Sequence, residues 1–166
     1  LFVRRGETTE EKDVLIILDM NQAILAMDPA GIYENTLVTD ALTLSRGLLD
    51  QGVTHGVLLN DARGQYHQIA NLDGFTQLEE DLVAHKADGR ETLREFIARK
   101  NEYFHDRGTL IFFTRPRAAD IDACEQLKYD RNEVVVFAPR LADSDVSREG
   151  RRLILRDLEG PGYEMA

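Results

Sequence analysis

Two polar residues directly after an apolar run are the first indication of chemistry in this sequence. Asp19 and Asn21 follow Val14–Ile17, which has the composition of a buried strand. In α/β proteins, ligands bind beyond the carboxyl ends of the strands. Carboxylate and amide oxygens can ligate a metal ion there, and a carboxylate can also act as a nucleophile or base. The spacing therefore raises the question of a metal site or a catalytic site.

The elements that would position these residues alternate between strand-like and helix-like patterns. This alternation predicts a mostly parallel sheet with helices on both faces. The helix period is clearest in residues 34–50, where four apolar residues repeat at 4-3-4 spacing. The predicted helices are Glu34–Asp50, Phe75–His85, Glu91–His105 and Ala119–Tyr129. The predicted strands are Asp13–Leu18, His55–Asn60, Gln65–Asn71, Thr109–Thr114, Glu133–Ala138 and Arg152–Arg156.

One connection is too short for a crossover helix. Asp61–Gly64 separates the second and third predicted strands, and a parallel crossover needs about a dozen residues or more. Gln65–Asn71 is therefore expected to run antiparallel at an edge of the sheet. The predicted fold class is α/β, a doubly wound and mostly parallel sheet with one antiparallel edge strand and helices on both faces.

Length and charge restrict the function classes. The 166 residues suit one ordinary domain, and the net charge of −10 disfavours nucleic acid as a partner. Residues 1–11 are charged without periodicity and are expected to be a linker or the end of a preceding domain, with residues 12–166 as the domain. The first residue, Leu1, favours a segment of a longer protein. No apolar run approaches the ~18–20 residues of a membrane-spanning helix, so we expect this segment to be cytoplasmic.

The carboxyl ends of parallel strands meet at one edge of the sheet, which brings further candidates beside Asp19 and Asn21. Asp61 follows the second predicted strand, while Thr114 and Arg115 follow the fourth. Thr92, at the start of a predicted helix, could present a hydroxyl to the same edge. Arg117 and Arg140 would add positive charge.

Several of these phrases resemble a known family. Asp13–Met20, "LLDQGVTHGVLLND" and "RGTLIFFTRPRAADIDACEQLKYDRNEVVVFAP" are similar to a von Willebrand factor A-type domain. They look most like the bacterial relatives catalogued as domain-of-unknown-function family fifty-eight. The resemblance spans roughly residues 13–140 and implies the same doubly wound fold.

The resemblance also implies a degenerate metal site. The family's site uses an Asp-x-Ser-x-Ser motif, a later Thr and a later Asp, which fall here on Asp19, Asn21, Ala23, Thr92 and Arg115. Ala23 cannot ligate a cation, and Arg115 places a permanent positive charge where the cation would lie. We therefore expect Arg115 to replace the metal as the counter-charge of Asp19, and we expect no cofactor.

The function implied is a non-enzymatic protein-interaction module. The residues expected at the binding surface are Asp19, Asn21, Asp61, Thr92, Arg115 and Arg117. Family members often belong to membrane-anchored bacterial proteins whose genes neighbour those of AAA-type ATPases of the MoxR kind. The resemblance therefore implies such an ATPase as a protein partner and an inner-membrane anchor in the full-length protein.

Two enzymatic alternatives use Asp19. A phosphatase of the haloacid dehalogenase type would pair Asp19 with Thr114, but its acid/base position falls on Asn21, whose amide cannot transfer a proton. A PIN-like nuclease would combine Asp19 with Asp61, yet metal-dependent nucleases need several converging carboxylates. A metal-dependent hydrolase using Asp19 thus stays open as the alternative to a binding module.

Overall fold

The computed structural model describes residues 13–84, 86–139, 141–142 and 145–146, the last two pairs by backbone alone. The predicted linker of residues 1–11, the predicted strand Arg152–Arg156 and the candidate Arg140 lie outside the described residues. The described part of the chain is centred on one five-stranded sheet.

The five strands of the sheet are β1 (Asp13–Asp19), β2 (His55–Asn60), β3 (Tyr66–Ile69), β4 (Gly108–Phe113) and β5 (Glu133–Phe137). Their order is β3-β2-β1-β4-β5, and all neighbours are parallel except β3, which pairs antiparallel with β2 at the edge. With helices on both faces, the predicted fold class is confirmed. The arrangement is consistent with the von Willebrand factor A-like fold that the sequence resembles.

In the part of the chain that the structure describes, five α-helices connect the strands: α1 (Ala23–Met27), α2 (Ile32–Asp50), α3 (Leu72–Ala84), α4 (Leu93–Arg99) and α5 (Ala118–Glu125). Short 3-10 turns cover Asn101–Tyr103 and Gln126–Asp130, and Leu141–Ala142 (β6) pairs antiparallel with Asp145–Val146 (β7). The predicted helix Glu91–His105 is wrong in extent, since α4 ends at Arg99 and only a 3-10 turn follows. None of the described helices has the length and apolar character needed to cross a membrane.

The core divides into two layers because successive side chains of a strand point to opposite faces of the sheet. Ile16 and Leu18 of β1 pack on the face covered by α1, α2 and α3, in one cluster with Leu37. Leu15 and Ile17 pack on the other face, in one cluster with Phe96 of α4. Leu15–Leu18 has no exposed surface. A central strand covered on both sides fixes the register at its end, where Asp19 stands.

Candidate functional site

Asp19 lies at the carboxyl end of the central strand and is almost fully hydrogen-bonded. The register places it opposite Asn60 of β2, while Thr114 directly follows β4 on its other side. Thr114 Oγ1 donates to Asp19 Oδ2 at 2.6 Å, and Asn60 Nδ2 donates to Oδ1 at 2.9 Å. The backbone amide of Asn21 also donates to Oδ1, at 3.3 Å. These three bonds use most of the roughly four acceptor positions of a carboxylate.

Burial raises the pKa of Asp19 above its usual value. The hydrogen bonds from Thr114 and Asn60 oppose that shift, and so does the charge of Arg115, whereas the negative charge of Asp120 adds to it. Only 3% of the surface of Asp19 is exposed. Neutral donors therefore compensate only part of the cost of burying this charge.

Asn21 does not present its amide oxygen to a ligand. Its Oδ1 accepts from the backbone amide of Ala23 at 2.8 Å, which closes the turn that starts α1. Its Nδ2 donates to the carbonyl oxygen of Glu91 at 2.5 Å, and Asn60 Nδ2 donates to the same oxygen at 3.3 Å. Asn21 therefore joins the loop after β1 to the loop before α4.

Gly89 lets these two loops approach closely. Its amide donates to the carbonyl of Met20 at 2.8 Å, and its own carbonyl accepts from the amide of Gln22 at 2.7 Å. A Cβ at this position would overlap the carbonyl oxygen of Asn60. Only glycine permits this contact, so the loop of residues 89–91 is held directly against the end of β1.

Thr92 is the residue that caps the start of α4. Its Oγ1 accepts from the amide of Glu95 at 3.1 Å, and Glu95 Oε1 accepts from the amide of Thr92 at 2.9 Å. This reciprocal pair is a capping box, which satisfies two backbone donors at the first turn. The Thr92 hydroxyl is therefore engaged in starting α4.

Arg115 pairs with Asp120, not with Asp19. Its Nε donates to Asp120 Oδ2 at 3.1 Å, and Arg117 Nε donates to the same oxygen at 3.1 Å. The predicted pair of Asp19 and Arg115 is wrong because the first turn of α5 supplies another carboxylate only five residues away. The charge of Arg115 still acts on Asp19 through space, since it lowers the pKa of that carboxyl.

The hydroxyl of Tyr33 connects the loop after β4 with the loop after β5. Its hydroxyl contacts the carbonyl oxygen of Thr114 at 3.2 Å and that of Pro139 at 2.5 Å. The side chain is fully buried, and burial raises the pKa of its phenol far above the usual range. Tyr33 is therefore a neutral donor that fixes Thr114, which in turn holds Asp19.

Asp61 shapes its own turn. Its Oδ1 accepts from the amides of Arg63 at 3.0 Å and Gly64 at 2.7 Å, and only 5% of its surface is exposed. Asp88 Oδ1 supports the same turn by accepting from the amide of Ala62 at 2.9 Å. The second carboxylate required by the nuclease alternative is thus committed to the β2–β3 connection.

The residues at the five positions that the family resemblance matches to a metal site do not fit a divalent cation. Asp19 is surrounded by donors, the Asn21 oxygen caps α1, Ala23 has no ligand atom and the Thr92 hydroxyl caps α4. The fifth position holds a guanidinium. Across the described residues, no group of three or more His, Cys, Asp or Glu side chains is arranged to hold a metal ion.

Sequence reasoning missed two residues that build this edge, Asn60 and Asp120. Asn60 is the last residue of a predicted strand, so its place beside Asp19 follows from parallel pairing. Asp120 lies five residues after Arg115 and three after Arg117 at the start of a predicted helix, a spacing that permits ion pairs. For Gly89, the sequence alone gives no signal of the contact with Asn60.

No family model and no curated protein matches this sequence. A solved structure of proximal thread matrix protein 1 from the mussel byssus is similar at 12% identity, with a TM-score of 0.48. The match covers 87% of this chain, which spans 40% of the mussel protein. An aerotolerance-related membrane protein from Bacteroides fragilis is similar at 16% identity with a TM-score of 0.45, over 84% of this chain and 79% of that one.

Proposed function

We propose that this domain is a non-enzymatic protein-interaction module that binds its partner through the loops at the carboxyl edge of the sheet. The observation that supports it is the state of Asp19, whose carboxylate is buried and occupied by Thr114, Asn60 and the Asn21 amide. A nucleophile or general base needs a free oxygen within reach of the substrate. The carboxylate of Asp19 is buried, and both of its oxygens already accept hydrogen bonds.

A raised pKa is also a feature of catalytic acids. The pKa of Asp19 is raised mainly by burial, and only 3% of its surface is exposed. Its donors come from three separate segments that the carboxylate holds together. We therefore assign Asp19 a structural role, in which it fixes the ends of β1, β2 and β4.

The contact residues of the proposed interface are the exposed ones. Asp19, Asn21 and Asp61 are buried, so they position the loops and do not meet the partner themselves. Arg117 is exposed at the same edge, as are Ala62 and Arg63 in the β2–β3 turn and Arg90 beside Gly89. The partner that the family resemblance suggests is an AAA-type ATPase of the MoxR kind.

Photo-crosslinking tests where the partner binds. A photoreactive amino acid at Ala62 would lie at the carboxyl edge, whereas one at Tyr129, which is 88% exposed just before β5 begins, would lie at the opposite edge. In the source cell, or with a purified MoxR-type ATPase, we expect a protein adduct from position 62 and none from position 129. An adduct from position 129 alone would move the interface to the other end of the sheet.

A further inference from the structure

Two guanidinium groups share one buried carboxylate at the carboxyl edge. Asp120 is 1% exposed and accepts from Nε of both Arg115 and Arg117, with a longer contact of 3.4 Å from Arg117 Nη2. The side chain of Arg115 is 12% exposed, and that of Arg117 is 47% exposed. The two guanidinium groups share this one carboxylate, and the half-exposed guanidinium of Arg117 lies at the surface.

The unused donors of this cluster reach solvent. Within the described part of the chain, Nη1 and Nη2 of Arg115 and Nη1 of Arg117 make no hydrogen bond. Because the Arg117 side chain is 47% exposed, its Nη1 is available to an acceptor from outside.

The backbone between the two arginines is fixed before any partner arrives. Pro116 restricts its own φ angle, and the amide of Arg117 donates to the carbonyl of Arg115 at 2.8 Å, which closes a tight turn. The carboxylate of Asp120 fixes both guanidinium groups by accepting from Nε of each. Little side-chain freedom is then left to lose on binding, which favours affinity.

We infer that Arg117, supported by Arg115, binds a side-chain carboxylate of the partner protein. This inference rests on the proposed function and names the chemistry of its partner. A guanidinium presents parallel N–H donors that match the two oxygens of a carboxylate. A local positive charge at this edge also favours the approach of an acidic group.

Other anions fit less well. A phosphate carries more negative charge than a carboxylate. The buried Asp19 and Asp120 behind the arginines, and the acidic chain as a whole, would therefore repel it more strongly. A C-terminal carboxylate is usually captured by free backbone amides, but the amide of Arg117 is already donated to Arg115. The carboxylate of an Asp or Glu side chain can be bound by the guanidinium group alone, without a free backbone amide.

Peptide titration tests the inference. The ¹⁵N-labelled chain is titrated with a pentapeptide that is blocked at both ends and carries one central glutamate, while the Nε–H resonances of the arginines are followed by NMR. We expect a saturable shift at Arg117 with this peptide and none with its glutamine counterpart. Arg117→Gln should weaken binding at least tenfold, and Arg117→Lys should weaken it less because it keeps the charge.

Arg46 supplies a matched control. Its side chain is 50% exposed and its Nε bonds Asp50 at 3.0 Å, so it resembles Arg117 in exposure and pairing but lies on α2. Arg46→Gln should leave the titration unchanged, and circular dichroism should show that both glutamine variants are folded. Equal shifts with the glutamate and glutamine peptides, or unchanged binding by Arg117→Gln, would overturn the inference.

Two further arms separate the acceptor from its alternatives. Tighter binding of inorganic phosphate, or of a glutamine peptide with a free C-terminus, would overturn the assignment to a side-chain carboxylate in favour of that group. If an adduct still forms from position 62 while the glutamate peptide fails to bind, only the carboxylate inference is lost. If no carboxyl-edge position crosslinks, the proposed function is lost as well.

Discussion

Asp19 and Asp120 are both buried near the carboxyl edge, with 3% and 1% of their surface exposed, but the charge of their hydrogen-bond donors differs. Asp19 accepts from a hydroxyl, a side-chain amide and a backbone amide. Asp120 accepts from two guanidinium groups. The same side chain therefore ties strand ends together in one place and holds surface charge in the other. Position in the fold matters less here than the donors supplied by neighbouring loops.

The largest expected effect is the loss of Asp120. Asp120→Ala leaves two arginines without their shared carboxylate, one of them only 12% exposed, and removing one side of a buried ion pair costs about 3–5 kcal/mol. Urea denaturation should show a decrease of this size in the free energy of unfolding. Asp122→Ala, at an exposed position of the same helix, should change it by less than about 0.5 kcal/mol. Equal effects of the two substitutions would contradict the ion-pair role of Asp120.

Double-mutant cycles sharpen the comparison. Arg115→Gln combined with Asp120→Asn should give a coupling energy of about 1–3 kcal/mol, as expected for side chains in contact. Arg115→Gln combined with Asp19→Asn should give a smaller coupling energy, because these two side chains interact only through space and share no hydrogen bond. A reversed order of the two couplings would restore the direct pair of Asp19 and Arg115 that the sequence suggested.

The pH dependence of stability should report Asp19. Because its pKa is raised in the folded state, the folded chain holds this proton at pH values where the unfolded chain, with a pKa of 3.8, has lost it. The contribution of Asp19 to the free energy of unfolding is then fully present below pH 3.8 and is lost as the pH rises through the raised pKa. Asp19→Asn keeps the shape of the side chain but removes the titrating group. The free energy of unfolding of the variant minus that of wild type should therefore increase with pH.

His55 provides a contrast of opposite sign within the same measurement. It is buried between Ser45 Oγ, at 2.6 Å, and the carbonyl of Val53, at 2.9 Å, and burial lowers its pKa below the usual 6.5. Its contribution is present above pH 6.5 and is lost as the pH falls through the lowered value. Asp19→Asn should leave this decrease in stability at acidic pH unchanged. A difference between wild type and Asp19→Asn that does not vary with pH would contradict the raised pKa.

Metal binding should have the smallest effect. Calorimetric titration with Mg²⁺ or Mn²⁺ should show no tight site, because Ala23 supplies no ligand and Arg115 supplies a positive charge. Thermal unfolding should likewise be unchanged by either cation. A single site of micromolar or better affinity would contradict the misfit of the donor set and favour the hydrolase alternative.

The sheet was predictable from sequence because its information is local. The four residues of Asp61–Gly64 were enough to make β3 antiparallel, and β1 was evident from its unbroken apolar run. The helix α1 was not predicted, since five residues are too few to show a helical period. Apolar runs and connection lengths therefore predict the strands and their directions, whereas periodicity does not predict a helix as short as α1.

The site was less predictable because its contacts depend on competition in three dimensions. Two carboxylates, Asp19 and Asp120, are candidates for pairing with Arg115, and the sequence does not tell which of them its guanidinium contacts. Asn21 and Thr92 have ligand-type oxygens, yet both are used to start helices. A polar atom at a strand end can be consumed by backbone amides, and only the folded chain shows that.

Turnover is the most direct test of the claim that this edge binds a partner and does not hydrolyse a substrate. The purified chain and its Asp19→Asn variant would be assayed with a generic phosphoester and with single-stranded nucleic acid in Mg²⁺ and in Mn²⁺. A binding module with a structural Asp19 predicts the same background rate for both proteins in every condition. Turnover that is clearly above background and abolished by Asp19→Asn would contradict it and make Asp19 the catalytic residue of a metal-dependent hydrolase.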